Sequence, residues 1–324
     1  MRTLIKRKLA QNFPRYRSSR HVLANLRYPT LSFDERIVRA THRRYYGHEI
    51  DLENPKTLSE KLNWLKFNHR PTLYTQVADK WHVRDYVRDK GLGHLLVDVH
   101  GVFEHPNEID FSALPDGFAL KATHGSSMNI IKHPHEGFDA DAASCILDSW
   151  MQTDMSTAKG EWQYRDIPRR IMVEHYLECD TGDLTEYKFH CFHGEPEFVA
   201  VIADRRTCTR KSYFSLDWEV LQFRDKKEIH PADDARMPDN MNDMIAAARV
   251  LSQDFPTVRV DFLVGSGDVH FSELTLYTYG GFPKFDPPEQ NTKLGELLNL
   301  DHLKPASSAS LSMSSQTLAT GERL

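Results

Sequence analysis

The sequence predicts an α+β fold with a largely antiparallel sheet. Segments with helical periodicity and short β-rich segments occur in mixed blocks, whereas a doubly wound fold would alternate them strictly. Between Arg170 and Leu216, several strand-like segments follow one another without a helical segment between them, which is typical of antiparallel pairing. The GxG of GSGDVHF follows a strand but opens no helix, so it indicates a turn and not a dinucleotide-binding loop.

The first part of the chain carries two helical patterns. Thr57–Glu60 is a capping-box pattern, and leucines recur after it at helical spacing. A second helix is predicted over Leu73–Lys90, with Gly91 as its C-terminal cap. Short strands are predicted near Leu95–Val99 and Gly117–Ala122.

The second part of the chain is rich in strands. A helix over Ala140–Met151 is predicted before them and another over Asn240–Asp254 after them. The predicted strands are Arg170–Tyr176, Glu186–His193, Glu197–Ala203 and Ser212–Leu216. A hairpin follows the last helix, and the Ser-, Ala- and Thr-rich tail 304–324 is predicted to be disordered.

Composition excludes some classes of protein. The chain has 324 residues, 40% of them hydrophobic, which is enough for two or three subdomains with full cores. A net charge of −5 argues against a nucleic-acid-binding protein. The first 30 residues nevertheless hold eight basic residues and no acid. We therefore predict a basic N-terminal arm, residues 1–40, that contacts an anionic membrane surface or glycan; a solvated tail is the alternative.

The cysteines and the apolar segments bear on location. Cys145, Cys179, Cys191 and Cys208 include no CxxC pair, so neither a zinc site nor a disulfide framework is expected. No apolar run is long enough to span a bilayer, and the N-terminus lacks a signal-peptide core. The sequence predicts a cytoplasmic protein, with attachment to the inner face of the membrane as a further option.

The hairpin RVDFLVGSGDVHFSELT places an acid in each of two apolar strands, Asp261 and Glu273. If the connection acts as a five-residue loop, the two acids lie opposite each other; a four-residue loop shifts the register and turns them to opposite faces. Buried carboxylates need a positive partner. A facing pair suits Mg²⁺, which prefers oxygen ligands, and ordinary charges on an exposed face are the alternative.

Three further segments carry residues suited to a nucleotide. In GFALKATHGSSMNIIK, Lys121 ends a strand and a small, polar loop follows, although this is not a Walker A loop. A strand lysine and a loop of backbone N–H groups can bind phosphates. Glu174 in RRIMVEHYLECD can accept from an adenine amino group, and Lys188 in EYKFHCFHGEP can point into the same cleft. A solvated surface charge is the alternative for each lysine.

Taken in order, these segments resemble the TupA-like branch of the ATP-grasp superfamily. The segments that carry the resemblance are NPKTLSEKLNWLK, ADKWHVRDYV, FALKATHGSS, VEHYL, EYKFHCFHGEPEFV, SLDW, FPTVRVDF and FSELT, which extend over roughly residues 54–298. The resemblance implies two α+β subdomains with largely antiparallel sheets that grip ATP between them. It further implies a helical N-terminal subdomain over 41–105, a lid subdomain over 106–180 and a metal-binding subdomain over 181–303.

The resemblance assigns nucleotide-binding roles residue by residue. Lys121 corresponds to the strand lysine that binds ATP phosphates, and Lys80, in a DKxxxR pattern, is a second candidate. Glu174 and Leu177 match the segment that binds adenine. The loop that covers the phosphates corresponds to Gly125, Ser126 and Ser127.

The same resemblance assigns the metal and the chemistry. Asp261 and Glu273 correspond to Mg²⁺ ligands, while Lys188 and Arg259 correspond to the cations at the transferred phosphoryl group. Many ATP-grasp enzymes have Asn two residues after the metal-binding Glu, where this chain has Thr275, which can still offer an oxygen. His124 is a further candidate, as proton acceptor for an incoming amine, against the alternative of an ordinary hydrogen-bonded histidine.

The function implied by the resemblance is ATP- and Mg²⁺-dependent ligation of a carboxylate to an amine through an acyl phosphate. The branch is associated with teichuronopeptide and capsular polysaccharide, so the implied partners are a uronic-acid carboxylate and an amino acid or amine. The basic stretch DRRTCTRK is a candidate contact for an anionic glycan, with a solvated hairpin edge as the alternative. A kinase of a glycan hydroxyl and a non-catalytic or glycosyltransferase-type assembly protein remain as alternative functions.

Overall fold

Two antiparallel sheets and a set of short helices form the fold, as shown by a computed structural model that describes residues 27–28, 30–179, 183–225 and 229–303. The mixed helices and largely antiparallel sheets confirm the predicted α+β class. The tail 304–324 and all but the last part of the basic arm lie outside the described residues. The predicted roles of these two segments therefore stay predictions, as do the subdomain limits.

The helices cover the sheets and connect them. Their bounds are α1 Phe33–Tyr46, α2 Leu58–Asn68, α3 Leu73–Ala78, α4 Val83–Asp89, α5 Ala140–Met151, α6 Ser156–Lys159, α7 Met241–Ser252 and α8 Gln290–Glu296. The predicted capping box at the start of α2 is present, with Thr57 and Glu60 each accepting from the other's backbone N–H. Helix α1 crosses residue 40, where the basic arm was predicted to end.

The prediction of one helix over Leu73–Lys90 is wrong, because two helices, α3 and α4, occupy this segment. The side chain of Asp79 causes the break. Its carboxylate accepts from the backbone N–H of Trp81 at 2.8 Å and lies 2.8 Å from Nδ1 of His82. A carboxylate that binds the backbone two residues on stabilises a turn in place of a helix.

The strands form two main sheets. Their bounds are β1 Val99–Phe103, β2 Phe118–Ala122, β3 Asn129–Lys132, β4 Ile171–His175, β5 Thr185–Phe192, β6 Glu195–Ala203, β7 Arg210–Ser215, β8 Arg224–Asp225, β9 Thr257–Val264, β10 Val269–Thr275 and β11 Phe285–Asp286. The four-stranded sheet has the order β1-β4-β2-β3, the five-stranded sheet has the order β10-β9-β5-β6-β7, and β8 pairs with β11. The strand predicted near Leu95–Val99 begins only at Val99, because a short 3₁₀ turn over Gly93–Leu95 precedes it.

Each sheet has its own apolar core. The four-stranded sheet packs on α5, where Leu120, Leu147 and Trp150 are almost completely buried. The five-stranded sheet packs on α7 and the helices α2 to α4 around a larger cluster that includes Phe189 and Phe262. Most of the predicted site residues lie where the two sheets approach each other.

None of the helices in the described ranges is both long and apolar enough to cross a bilayer. Cys145, Cys179, Cys191 and Cys208 form no disulfide with one another.

Candidate active site

The register of the β9–β10 hairpin places the two predicted metal ligands side by side. Asp261 pairs with Glu273 across the hairpin. The connection is a four-residue loop, Gly265–Asp268, which alone would have turned the acids to opposite faces. A bulge at Ser272 adds one residue to β10 and restores the facing pair.

The positive group between the two acids is the guanidinium of Arg259. Its Nε and Nη2 donate to the two carboxylate oxygens of Asp261, each at 2.6 Å. Nη2 also contacts Glu273 Oε1 at 3.2 Å and Thr275 Oγ1 at 3.0 Å. The Thr275 hydroxyl in turn donates to Glu273 at 3.1 Å. All four predicted residues of this strand pair therefore form one network.

A second cation reaches the network from β5. Lys188 pairs with Asp261 across β5 and β9, and its Nζ lies 2.5 Å from Asp261 Oδ2 and 2.8 Å from Glu186. Asp261 is only 1% exposed. Its burial alone would raise the pKa of its carboxyl, but Arg259 and Lys188 hold that pKa below its ordinary value. For Lys188 the directions are opposite: burial alone would lower the pKa of its ammonium group, but the charge of Asp261 holds that pKa above its ordinary value.

The predicted nucleotide residues face this network across the cleft. Lys121, in β2, forms an ion pair with Glu174, in β4, so two residues assigned to ATP bind each other in this structure. The ammonium of Lys80 donates to the carbonyl of Gly125 at 2.5 Å and lies 4.0 Å from Glu273. Lys80 thus links the loop predicted to cover the phosphates to the predicted metal ligand Glu273.

Other predicted residues lie at the edge of the cleft or outside it. Ser126 and Ser127 are exposed in the loop between β2 and β3, and Leu177 follows β4. His124 is buried, with Nε2 2.9 Å from the carbonyl of Trp150 at the end of α5. Burial lowers the pKa of His124. Its one hydrogen bond is thus to a helix carbonyl and not to the acids of the hairpin, and its catalytic role stays a prediction.

The sequence YTYGGF after the hairpin is unusual and predicts contact with the acceptor, which stays a prediction; the structure forms a turn there, Tyr279–Gly281. All three residues have positive φ, which is uncommon for Tyr. Ser59 and Asn63 donate to the carbonyl of Gly281. Lys66 donates to the carbonyl of Gly280 at 2.7 Å, and Lys159 donates to the carbonyl of Tyr279 at 2.8 Å. The spacing of Ser59, Asn63 and Lys66 on one face of α2 was the signal available in the sequence.

The Tyr279 hydroxyl connects this turn to the five-stranded sheet. Lys211 Nζ donates to the Tyr279 and Tyr213 hydroxyls at 2.8 and 2.9 Å and lies 2.7 Å from Asp225. Both tyrosines donate to the carboxylate of Asp225. Burial lowers the pKa of Lys211 to about 8, against the effect of Asp225. The network fixes the turn beside the acids of the hairpin.

The basic stretch predicted to contact a glycan is paired with acids throughout. The ion pairs are Arg205 with Glu186, Arg206 with Glu136, Arg210 with Asp204 and Asp234, and Lys211 with Asp225. Within the described ranges these cations are therefore already neutralised, and contact with a glycan stays a prediction.

Oxygen ligands for a metal are present but few. Among the described residues, no group of three or more His, Cys, Asp or Glu side chains is arranged to hold a metal ion. Asp261, Glu273 and Thr275 nevertheless bring two carboxylates and a hydroxyl together on adjacent strands. Two carboxylates, completed by phosphate and water oxygens, are typical of Mg²⁺ sites that bind a nucleotide. The residues fit Mg²⁺ in the presence of a nucleotide.

The sequence of the chain matches one known protein family over most of its length. A sequence model of the family described as TupA-like ATPgrasp matches residues 60–299. The chain belongs to the TupA-like ATP-grasp family. The match covers both sheets from β1 to β11 together with α3 to α8, and it confirms the predicted resemblance. No curated protein matches the chain.

Solved structures with a similar fold include two D-alanine–D-alanine ligases. The chain is 14% identical to the Bacillus anthracis ligase, with a TM-score of 0.35, over 62% of this chain and 57% of the ligase. For the Helicobacter pylori ligase the identity is 15% and the TM-score 0.39, and the match covers 76% of this chain and 70% of the ligase. For the ATP-grasp ligase PsnB, complexed with a minimal precursor, the identity is 12% and the TM-score 0.38, and the match covers 72% of this chain and 62% of PsnB. The chain thus spans little more than half of the first ligase, and these low scores carry no inference about activity.

Proposed function

We propose that this TupA-like ATP-grasp protein is an ATP- and Mg²⁺-dependent ligase that joins a carboxylate to an amine through an acyl phosphate. The observation that carries the proposal is the network of Asp261, Glu273, Arg259 and Lys188 on neighbouring strands, with Asp261 buried at its centre. Its two carboxylates can hold a metal ion, and its two cations can stabilise a transferred phosphoryl group. Family membership supports ATP as the phosphoryl donor.

The residues divide into two groups around the nucleotide. Lys121, in the four-stranded sheet, and Lys80, just before α4, would hold the phosphates of the nucleotide. The loop that follows β2 would cover them. Asp261 and Glu273 would hold Mg²⁺, with the Thr275 hydroxyl as a further oxygen. When bound, Mg²⁺ would supply positive charge that offsets the negative charge of the phosphates.

The chemistry then needs positioning and charge neutralisation in two steps. A carboxylate oxygen of the acceptor takes the γ-phosphoryl group, and ADP leaves. The amine nitrogen then attacks the acyl carbon, phosphate leaves, and the nitrogen loses a proton. Arg259 and Lys188 contact carboxylates in this structure. With the charge of Asp261 and Glu273 balanced by a bound metal ion, the two cations would be available to the transferred phosphoryl oxygens.

The acceptor in this proposal is a uronic-acid carboxylate and the second substrate an amino acid or amine, in the assembly of a cell-surface polysaccharide. The association of the TupA-like branch with such polymers supports this choice. The proposed setting is the cytoplasm, at or near the inner face of the membrane.

Nucleotide binding is the first test of the proposal. Thermal unfolding is measured with and without MgATP for the wild type, for Lys121→Ala and for the exposed control Lys293→Ala. ATP at 100 times its dissociation constant adds about 2.7 kcal/mol, a shift of several degrees. We expect the shift in the wild type and the control and its loss in Lys121→Ala; no shift in the wild type would overturn the ATP site.

Product analysis is the second test. The protein is incubated with MgATP, uronic acids and a panel of amino acids and amines, and phosphate release and product masses are recorded. An amide with free phosphate supports the ligase, whereas a stable phosphorylated acceptor would show a kinase instead. Glu273→Gln should abolish turnover, and Glu197→Gln, an exposed acid on β6, is the matched control.

A further inference from the structure

Arg84 of α4 is a buried cation without an acidic partner. Its relative exposure is 7%, and it forms neither a hydrogen bond through its side chain nor an ion pair with any residue that the structure describes. Its Nε is buried and unpaired. The guanidinium carbon lies 5.9 Å from the ring centre of Trp81, a contact that satisfies none of its N–H groups.

The neighbouring cations of the cleft differ from Arg84 in this respect. Lys121 is paired with Glu174, Lys188 with Asp261, and Lys80 donates to the carbonyl of Gly125. A buried guanidinium without a partner destabilises a folded protein, because it loses water and gains nothing in exchange. Burial accordingly lowers the pKa of Arg84. Such a residue suggests a ligand that supplies the missing charge.

The surroundings of Arg84 indicate the charge of that ligand. Arg84 lines a small cavity together with Lys80, Lys121 and Glu174, so three cations and one acid face the same space. The acid is already paired with Lys121. The rest of the wall consists of Val83, Leu96, Met172, Phe271 and Ser272. Three cations against one acid favour an anionic group, such as a nucleotide phosphate, at this place.

We propose that Arg84 binds a phosphate group of the nucleotide, alongside Lys80 and Lys121. The inference rests on the proposed ATP-dependent function and adds to it a third phosphate-binding cation. Lys80 lies in the turn before α4 and Arg84 in its first turn, and both side chains line the same cavity.

The test compares Arg84→Met, which keeps the length and removes the charge, with the wild type. We expect MgATP affinity to fall by about 10- to 100-fold, since hydrogen bonds to charged groups are lost. Adenosine affinity should stay within about twofold, because adenosine carries no phosphate. The melting temperature of the ligand-free protein should stay the same or rise, since an unpaired buried charge has been removed. Arg84→Lys should recover part of the MgATP affinity.

Arg88→Met is the matched control. Arg88 lies one turn later, is about half exposed and pairs with Asp85, so its loss should leave nucleotide affinity unchanged. Unchanged MgATP affinity in Arg84→Met would overturn the inference, and so would an equal loss of adenosine binding or a lower melting temperature without ligand. If the wild type binds no MgATP, the proposed function fails together with this inference. If the wild type binds MgATP and the Arg84 variants bind it equally well, the inference alone fails.

Discussion

The two predicted metal ligands should respond very differently to neutral substitution. Asp261 is 1% exposed and accepts from Arg259 twice at 2.6 Å and from Lys188 at 2.5 Å. Asp261→Asn leaves two buried cations without their main counter-charge, a change that costs about 3–5 kcal/mol. Each cation retains a second acid, so we expect the lower end, about 3 kcal/mol. For a chain of 324 residues that unfolds as one unit, this is a loss of roughly 4–5 °C in melting temperature.

Glu273 makes longer and more exposed contacts in the same network than Asp261 does. Its side chain is 31% exposed, and its ion pairs are the 3.2 Å contact to Arg259 and the 4.0 Å contact to Lys80. Glu273→Gln should therefore cost about 1 kcal/mol or less. Urea unfolding at pH 7 without nucleotide or metal measures both values, with Glu197→Gln as the control. Equal unfolding midpoints for Asp261→Asn and Glu273→Gln would refute this account of the network.

Two further predictions concern Lys66 and Asp261. Lys66→Met removes the donor to Asn63 and to the carbonyls of Lys159 and Gly280; buried acceptors without donors cost about 1–3 kcal/mol each, so urea unfolding should show a loss of at least about 3 kcal/mol. The exposed Lys56→Met is its control, and equal stability of the two variants would contradict the prediction. The folded-state pKa of Asp261 is depressed, so its contribution to stability is present above the unfolded pKa of about 3.9 and is lost as pH falls below it. A pH series of unfolding midpoints should show a shallower acid decline for Asp261→Asn, and parallel declines would contradict this sign.

Local signals in the sequence were sufficient for several elements of the fold. The predicted bounds of α5, Ala140–Met151, match the structure, because Asp139 caps the helix and apolar residues follow at helical spacing. The segment Leu73–Lys90 was predicted as one helix because its apolar periodicity is continuous. The turn at Asp79 depends on two specific hydrogen bonds, which periodicity does not indicate.

The site was predictable to the extent that its charges are unusual in their local context. An acid in each of two apolar strands identified Asp261 and Glu273. The bulge at Ser272, which makes them face each other, has no signal in the loop sequence. The burial of Lys66 and Arg84 was not predicted either, because it depends on carbonyls and walls contributed by segments distant in the sequence.

The separate cores of the two sheets have a consequence for nucleotide exchange. The four-stranded sheet and α5 enclose one apolar core, and the five-stranded sheet with its helices encloses another. A hinge rotation that moves the four-stranded sheet away from the five-stranded sheet therefore opens neither core to water. The contacts released by such a rotation include polar ones, from Lys80 to Gly125 and from Arg206 to Glu136. Water replaces a polar contact at little cost, so the cleft can open for a nucleotide to enter or leave while both apolar cores stay closed to water.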